Sequence, residues 1–303
     1  MLANGFSDIF RRMAKLGLAE MIFSEKGRIS MRLWEAVFCG LLQGLTEFLP
    51  VSSSGHLALA HHFFGLENPE TTLVFDILLH LSTLFVVLVV YRRDIFSLVP
   101  AAFGVCGKVL CGKLRFSAYT ETERMAVLLV AATLPMAAAI FLKDSVEMLA
   151  LYPRVIGAIL LINGILLLFA DFFARRSGDV LLKPAGAFGI GIFQLAAIVP
   201  GLSRSGSTIS GGLLFGLSRE NAVKFSFLMS IPAVLGANIA NVPQALNVVL
   251  SRETIVCYLV GMAAALVSGF LAMKLLRYLS QKKRFGFFAY YCMALGVLTM
   301  LFA

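Results

Sequence analysis

Between Gln43 and His56 the chain gathers a carboxylate (Glu47), three consecutive serine hydroxyls (Ser52, Ser53, Ser54) and an imidazole, with apolar sequence on either side. Ionisable groups are costly in hydrocarbon, so such a cluster in an apolar setting marks a functional site. Gln43 and Glu47, four residues apart, fall on one face of a helix that ends at Pro50. Ser53 and His56, three apart, share a face of the helix that follows, and Ser52 to Ser54 can cap it, turning backbone N–H groups and the positive dipole end toward the break. A second break, Ser203-Arg204-Ser205-Gly206-Ser207-Thr208, repeats the arrangement with a guanidinium where the first has Ser53. Two helix N-termini, a ring of hydroxyls and one arginine describe an anion site, with phosphate the obvious anion. Glu47 and His56 correspond to Ile198 and Ser207 in the second break, so acid/base capacity lies in one half and the fixed cation in the other. Anion binding alone requires neither group. A carboxylate, an imidazole and a serine beside a phosphate-binding arginine point to transfer or hydrolysis. Ser53 is the candidate nucleophile, with Glu47 or His56 taking its proton; a water activated by the same base is the competing version.

The elements that must position these groups are membrane helices. Of 303 residues 59% are hydrophobic and only 14% charged, and the mean hydropathy is +0.88. Soluble domains carry roughly 25% charged residues. The net charge of +9 sits in loops between apolar runs, which fits the positive-inside pattern and contact with lipid head groups rather than nucleic acid. The five cysteines, Cys39, Cys106, Cys111, Cys257 and Cys292, lie in apolar surroundings and are expected as small buried thiols. Residues 1–30 show no signal-peptide pattern and are expected to form a poorly packed N-terminal extension. Residues 31–303 read as one membrane domain.

Full-length spans are expected at 73–91, 124–142, 154–174, 222–241, 254–278 and 286–302, and two short broken pairs at 32–65 and 185–217. A pair of short helices meeting at a Pro/Ser/Gly break resembles a re-entrant hairpin. At a constant offset of 151, Gly40 matches Gly191, Gln43 matches Gln194, and Ser52, Ser54 and Gly55 match Ser203, Ser205 and Gly206; Phe64-Gly65-Leu66 matches Phe215-Gly216-Leu217. The chain is therefore expected to be duplicated, with repeat one at 31–175 and repeat two at 185–303. Three spans per repeat invert the second relative to the first. The fold class is thus an all-α integral membrane protein: an inverted-topology repeat of six full transmembrane helices and two re-entrant hairpins. Loops 92–123, 175–184 and 279–285 hold most of the Lys and Arg and are assigned to the cytoplasm, which leaves hairpin one open to the outer face.

The stretches Gln43–His56 and Pro200–Thr208 resemble the two signature motifs of the bacterial undecaprenyl-diphosphate phosphatase family, known for bacitracin resistance, and the resemblance covers about residues 31 to 303. It implies hydrolysis of undecaprenyl diphosphate to undecaprenyl phosphate and inorganic phosphate in the bacterial inner membrane, recycling the lipid carrier for peptidoglycan. The family's functional positions fall on Glu47, Ser53, His56 and Arg204, with Gln43, Ser52, Ser54, Ser203, Ser205 and Thr208 as substrate-binding groups. Mg2+ or Ca2+ enters as a cofactor by resemblance alone. Some members have a second glutamate where this chain has Gln43, so no two-carboxylate metal site is expected. Where many members show Tyr-Arg this chain has Tyr291-Cys292. The partners implied are a polyprenyl diphosphate and membrane lipid, with a homodimer compatible with the sequence. Asp76 and His80 are read as packing ahead of a supporting role behind the site's own residues, and Asn163, Asn238 and Asn241 as interhelical hydrogen-bonding groups. A transporter or flippase built on the same repeat is the alternative function, with Glu47 and His56 as a proton relay. A phosphohistidine-type lipid phosphatase is excluded: it requires a histidine six residues after the arginine, and that position is Ser210.

Overall fold

The computed structural model describes residues 31–66, 69–112, 116–174, 180–248, 250–281 and 286–302. The expected extension 1–30 and the basic loop residues Lys113, Arg115, Arg175, Arg176, Lys282, Lys283 and Arg284 lie outside the described residues. The described chain is all α-helical apart from two short 3₁₀ turns. In order it forms α1 (Leu33–Phe48), α2 (Ser53–Phe64), α3 (Pro69–Val90), α4 (Arg92–Leu110), α5 (Glu121–Thr133), α6 (Ala139–Leu149), α7 (Pro153–Ala174), α8 (Pro184–Ala196), α9 (Arg204–Leu214), α10 (Arg219–Ala245), α11 (Arg252–Gln281) and α12 (Gly286–Phe302).

Among the described residues five segments are long and apolar enough to cross a membrane: Thr72–Val90, Glu121–Leu142, Pro153–Phe173, Arg219–Ala245 and Arg252–Gln281. The second of these is α5 continued through a 3₁₀ stretch, Leu134–Ala138, which begins where Pro135 withdraws an N–H from the helix ladder. The sixth expected span, α12, is an apolar helix of 17 residues, about 26 Å at 1.5 Å per residue and shorter than the others. Large apolar side chains such as Phe141, Leu271 and Phe302 are exposed around the outside, as a lipid-facing surface requires.

Small residues set the packing. α1 lies along α11 and α7 along α12, each pair in close backbone contact. A Cβ on Gly40 would stand 2.2 Å from the Gly261 carbonyl oxygen, and one on Gly296 2.6 Å from that of Gly157. Without a hydrophobic force between helices in lipid, such close approach is what lets dispersion hold them. α8 packs on α5 in the same manner, where a Cβ on Gly191 would meet the Ala132 carbonyl oxygen at 2.3 Å. α3 and α10 pack together, and a buried ion pair, Arg219 Nη2 to Asp171 Oδ1 at 2.7 Å, joins α10 to α7.

The structure corrects two expectations. The segment read as a long loop, 92–123, is mostly the helix α4, which buries no residue. Its Phe96, Val99, Phe103 and Leu110 recur at helical spacing and are exposed, with Arg92 and Arg93 at the start, the pattern of a helix lying in a membrane interface. Consequently Cys106 and Cys111 are exposed, while Cys39, Cys257 and Cys292 are buried as expected.

Candidate active site

Each broken helix pair ends its break with a serine cap. Ser52 Oγ accepts from the Gly55 N–H at 3.2 Å, and Ser203 Oγ accepts from the Gly206 N–H at 3.0 Å. Both caps satisfy a first-turn donor that the helix cannot. The neighbouring hydroxyls Ser54 and Ser205 stand 3.4 and 3.2 Å from their caps. Ser52 holds φ at 73°, a left-handed backbone that a non-glycine residue adopts at a cost of about 1–3 kcal/mol. In the second break that conformation falls on Gly201, with φ 97°, where it carries no such cost. The breaks touch: a Cβ on Gly55 would stand 3.0 Å from Gly201 Cα.

Asn163 of α7, fully buried, ties the tips together. Its Nδ2 donates to the Pro50 carbonyl at 3.1 Å, and its Oδ1 accepts from the Ser203 N–H at 3.1 Å. Ser205 Oγ adds a bond to the Leu49 carbonyl at 3.3 Å. This clamp brings the acidic tip against the basic one. Glu47 and Arg204, distant in sequence, form a direct ion pair through Glu47 Oε1 and Arg204 Nη2. Glu47 Oε2 accepts from Ser53 Oγ at 2.6 Å and from Gln43 Nε2 at 3.0 Å, and His80 Nε2 lies 3.8 Å away. A buried carboxylate with this many donors is held in one rotamer, aimed at the serine hydroxyl. Arg204 uses Nη2 on Glu47 and leaves Nη1 buried without a partner.

These groups open on a cavity of about 330 Å³, lined by Glu47, Ser53, Ser54 and Arg204 from the tips, Asp76 and His80 from α3, Gln194 from α8 and Asn238 from α10. The remaining expected residues stand behind its wall. Gln43 orients Glu47, and Ser52, Ser203 and Ser205 shape the breaks. Thr208 Oγ1 accepts or donates at 2.6 Å with Ser226 of α10 and bonds the Arg204 carbonyl at 2.8 Å. His56 faces elsewhere. Its Nδ1 is 2.7 Å from the Ser52 carbonyl, which can only accept, so that nitrogen carries the proton. Nε2, 2.8 Å from the Tyr291 hydroxyl, then accepts from it. Of the two bases named for Ser53, the geometry sets Glu47 against its hydroxyl.

Sequence reasoning put packing ahead of a supporting role for Asp76 and His80; both line the cavity, and it passed over Gln194 as a site residue. Their spacing from the motifs carries no signal, whereas the position of Gln194 opposite Gln43 in the repeat could have indicated it. A protein-held Mg2+ or Ca2+ does not fit the donors present. Glu47 is engaged by Arg204, Ser53 and Gln43, an amide stands in the place of a second carboxylate, and among the described residues no three His, Cys, Asp or Glu side chains converge on one point.

A second hollow of about 810 Å³, almost wholly apolar, runs along α5, the following 3₁₀ turn and α10. It shares Met136, Ile198, Ala233, Ala237 and Asn241 with the polar cavity, so the two adjoin. Fold and site together define a multi-pass helical membrane protein with a carboxylate–hydroxyl–guanidinium centre beside an apolar groove. The chain belongs to the bacitracin resistance protein BacA family, whose model matches residues 36–298. It is 39% identical over 277 residues to the undecaprenyl-diphosphatase of Alkaliphilus metalliredigens, covering 90% of this chain and 99% of the relative. It is 37% identical over 279 residues to that of Methanobrevibacter smithii (89% and 98% covered) and 36% identical over 275 residues to that of Bacteroides fragilis (89% and 98%).

Proposed function

We propose that this chain hydrolyses undecaprenyl diphosphate to undecaprenyl phosphate and inorganic phosphate, returning the lipid carrier to cell-wall synthesis and so conferring bacitracin resistance. The observation that carries it is the contact of Glu47, Ser53 and Arg204 from two separate tips at the wall of one cavity that adjoins an apolar groove. The polar cavity suits a diphosphate and the groove a prenyl chain. Arg204, fixed by Glu47 through Nη2, offers Nη1 to the terminal phosphate, and the first turns of α2 and α9 add N–H groups and dipole. Ser53 Oγ attacks the terminal phosphorus while Glu47 Oε2 takes its proton. The bond from that phosphorus to the bridging oxygen breaks, and the lipid monophosphate leaves, taking up the proton from Glu47 and restoring its carboxylate. Water, deprotonated by Glu47, then attacks the phosphoserine; the bond from phosphorus to Ser53 Oγ breaks, Glu47 returns the proton to that oxygen, and phosphate is released. The 2.6 Å bond from Ser53 to Glu47 favours serine over water as the first nucleophile.

The finer architecture follows the same proposal: α1/α2 and α8/α9 as re-entrant hairpins, six spans including α12, and the second half inverted. It is supported by equivalent details at matched positions. Ser52 and Ser203 cap alike, Gly65 and Gly216 both end their helices at positive φ, and Gly40 and Gly191 both press on a carbonyl of the other half. The lysine- and arginine-rich loops then lie in the cytoplasm of a bacterial inner membrane, and the site faces outward.

The test is phosphate release by the purified protein from a polyprenyl diphosphate in detergent. Release by wild type with loss of at least about 10³-fold in Ser53→Ala supports the scheme. Near-normal release by Ser53→Ala, with Glu47→Ala inactive, makes water the nucleophile. No release by wild type, together with lipid or proton movement in vesicles, would assign a transporter instead.

A further inference from the structure

Gln194 holds in the second hairpin the place that Gln43 holds in the first. Gln43 donates its amide hydrogen to Glu47 at 3.0 Å. The residue matching Glu47 is Ile198, so Gln194 has lost the carboxylate that its counterpart serves. It is 1% exposed, and neither its amide nitrogen nor its amide oxygen has a hydrogen-bond partner. Asn238 of α10, 8% exposed, likewise has an unpartnered Nδ2. Both side chains line the cavity that Arg204 lines, and Arg204 Nη1 is the third buried nitrogen there without an acceptor. Unpaired buried polar groups are costly, and three donors on one cavity against two acceptors without a hydrogen bond, Gln194 Oε1 and Asp76 Oδ1, call for an occupant rich in acceptor oxygens that also carries a hydroxyl, as a protonated phosphate does.

The position of the two amides says which oxygens. Ile198, one turn beyond Gln194, and Ala237 and Asn241, beside and one turn after Asn238, line both the polar cavity and the apolar groove. Gln194 and Asn238 line the cavity alone, as Ser53 and Glu47 do, but these helix neighbours set the two amides toward the groove, whereas no groove residue flanks Ser53 or Glu47 on its helix. We infer that Gln194 and Asn238 seat the phosphate that stays with the lipid, while Arg204 and Ser53 hold the phosphate that is removed. This inference rests on the hydrolase proposal and deepens it. The amides bind substrate and the lipid monophosphate product, and take no part in proton transfer.

The experiment measures Gln194→Met and Asn238→Leu, which keep side-chain bulk, in detergent with a polyprenyl diphosphate. Each should raise KM about tenfold or more, the loss of one or two hydrogen bonds to a charged phosphate, with kcat within about threefold of wild type. Inhibition by the polyprenyl monophosphate should weaken by a similar factor. Inhibition by inorganic phosphate should stay within about twofold, because free phosphate binds at Arg204. Unchanged KM and unchanged monophosphate inhibition overturn the inference, as does equal weakening of both inhibitors or a collapse of kcat. If either variant elutes as an aggregate, the near-isosteric Gln194→Glu and Asn238→Asp replace it; a larger rise in KM supports the seat and no rise overturns it. A wild-type protein that releases no phosphate overturns the hydrolase proposal separately. The seat then stands or falls on calorimetric binding of the monophosphate to wild type against Gln194→Met.

Discussion

A single methyl group on α1 should disable the site without touching any of its reacting atoms. A Cβ on Gly44 would stand 2.0 Å from Ser268 Oγ, 2.4 Å from the Ala265 carbonyl oxygen and 2.7 Å from the Gly269 nitrogen, where ordinary contact begins at 3.4 Å. Ser268 can rotate away, but two of the three atoms are backbone of α11. Against the carbonyl the shortfall is 3.4 − 2.4 = 1.0 Å, so in Gly44→Ala α1 must withdraw from α11 by about that distance. Overpacking of this kind costs about 1–3 kcal/mol in stability. Gln43 precedes Gly44 and Glu47 lies one turn beyond, so the carboxylate moves with the helix, while Arg204 stays on α9. A misplacement of about 1 Å in a reacting group lowers turnover by about 10²-fold. The assay is phosphate release in detergent alongside thermal unfolding of the same preparations. Gly107→Ala on α4, where a Cβ meets nothing within 4 Å, serves as the control and should match wild type in turnover. A Gly44→Ala protein with kcat within about threefold of wild type would refute the claim that the α1–α11 contact sets the position of Glu47.

Three further outcomes follow from the site's geometry. Arg204→Lys should lower kcat/KM about 10- to 100-fold, because an ammonium cannot hold Glu47 with one nitrogen and phosphate with another, and initial-rate kinetics measure it. Asn163→Leu should cost about 2–4 kcal/mol and lower the melting temperature, since it strands the Pro50 carbonyl and the Ser203 N–H; turnover should fall with it as the tips lose their clamp. Tyr291→Phe removes the donor to His56 Nε2, outside the cavity, and should lower the melting temperature while leaving kcat within about threefold; a loss beyond tenfold would give His56 a part in the chemistry.

The motifs were legible because their chemistry is local. A proline at the break followed by closely spaced serines and a glycine specifies a capped tip wherever the chain carries it, and both tips form caps at Ser52 and Ser203. Periodicity located five of the six expected spans, since a run of some twenty apolar residues has few alternatives. It failed on α4, whose apolar residues are too sparse to span but recur every three to four positions, and the basic residues around it read as loop. Periodicity also cannot say which way a side chain faces once several helices surround it. His56 is three residues from Ser53 and was placed with it, yet the groups that capture it are the Ser52 carbonyl and the hydroxyl of Tyr291 on a helix at the far end of the chain. Asp76 and His80 reach the cavity because α3 packs on α10, a contact with no local signature.

The proposed duplication accounts for a site shared between two tips instead of repeated at each. Two unaltered copies meeting across the molecule would oppose like with like: carboxylate against carboxylate, or guanidinium against guanidinium, each costly when buried. Retaining the acid at Glu47 and replacing its counterpart with Ile198 removes one clash, and placing Arg204 opposite Ser53 turns the remaining pair into an attraction. The small residues that shape the helix contacts face the opposite constraint, because both halves must close in the same way. Gly40 and Gly191, Ser52 and Ser203, and Gly55 and Gly206 are accordingly identical, and each pair does the same mechanical work. The matched positions that differ are therefore where function should be sought. Gln194, freed from a carboxylate that its half no longer has, belongs among them by its surroundings although its own identity is unchanged.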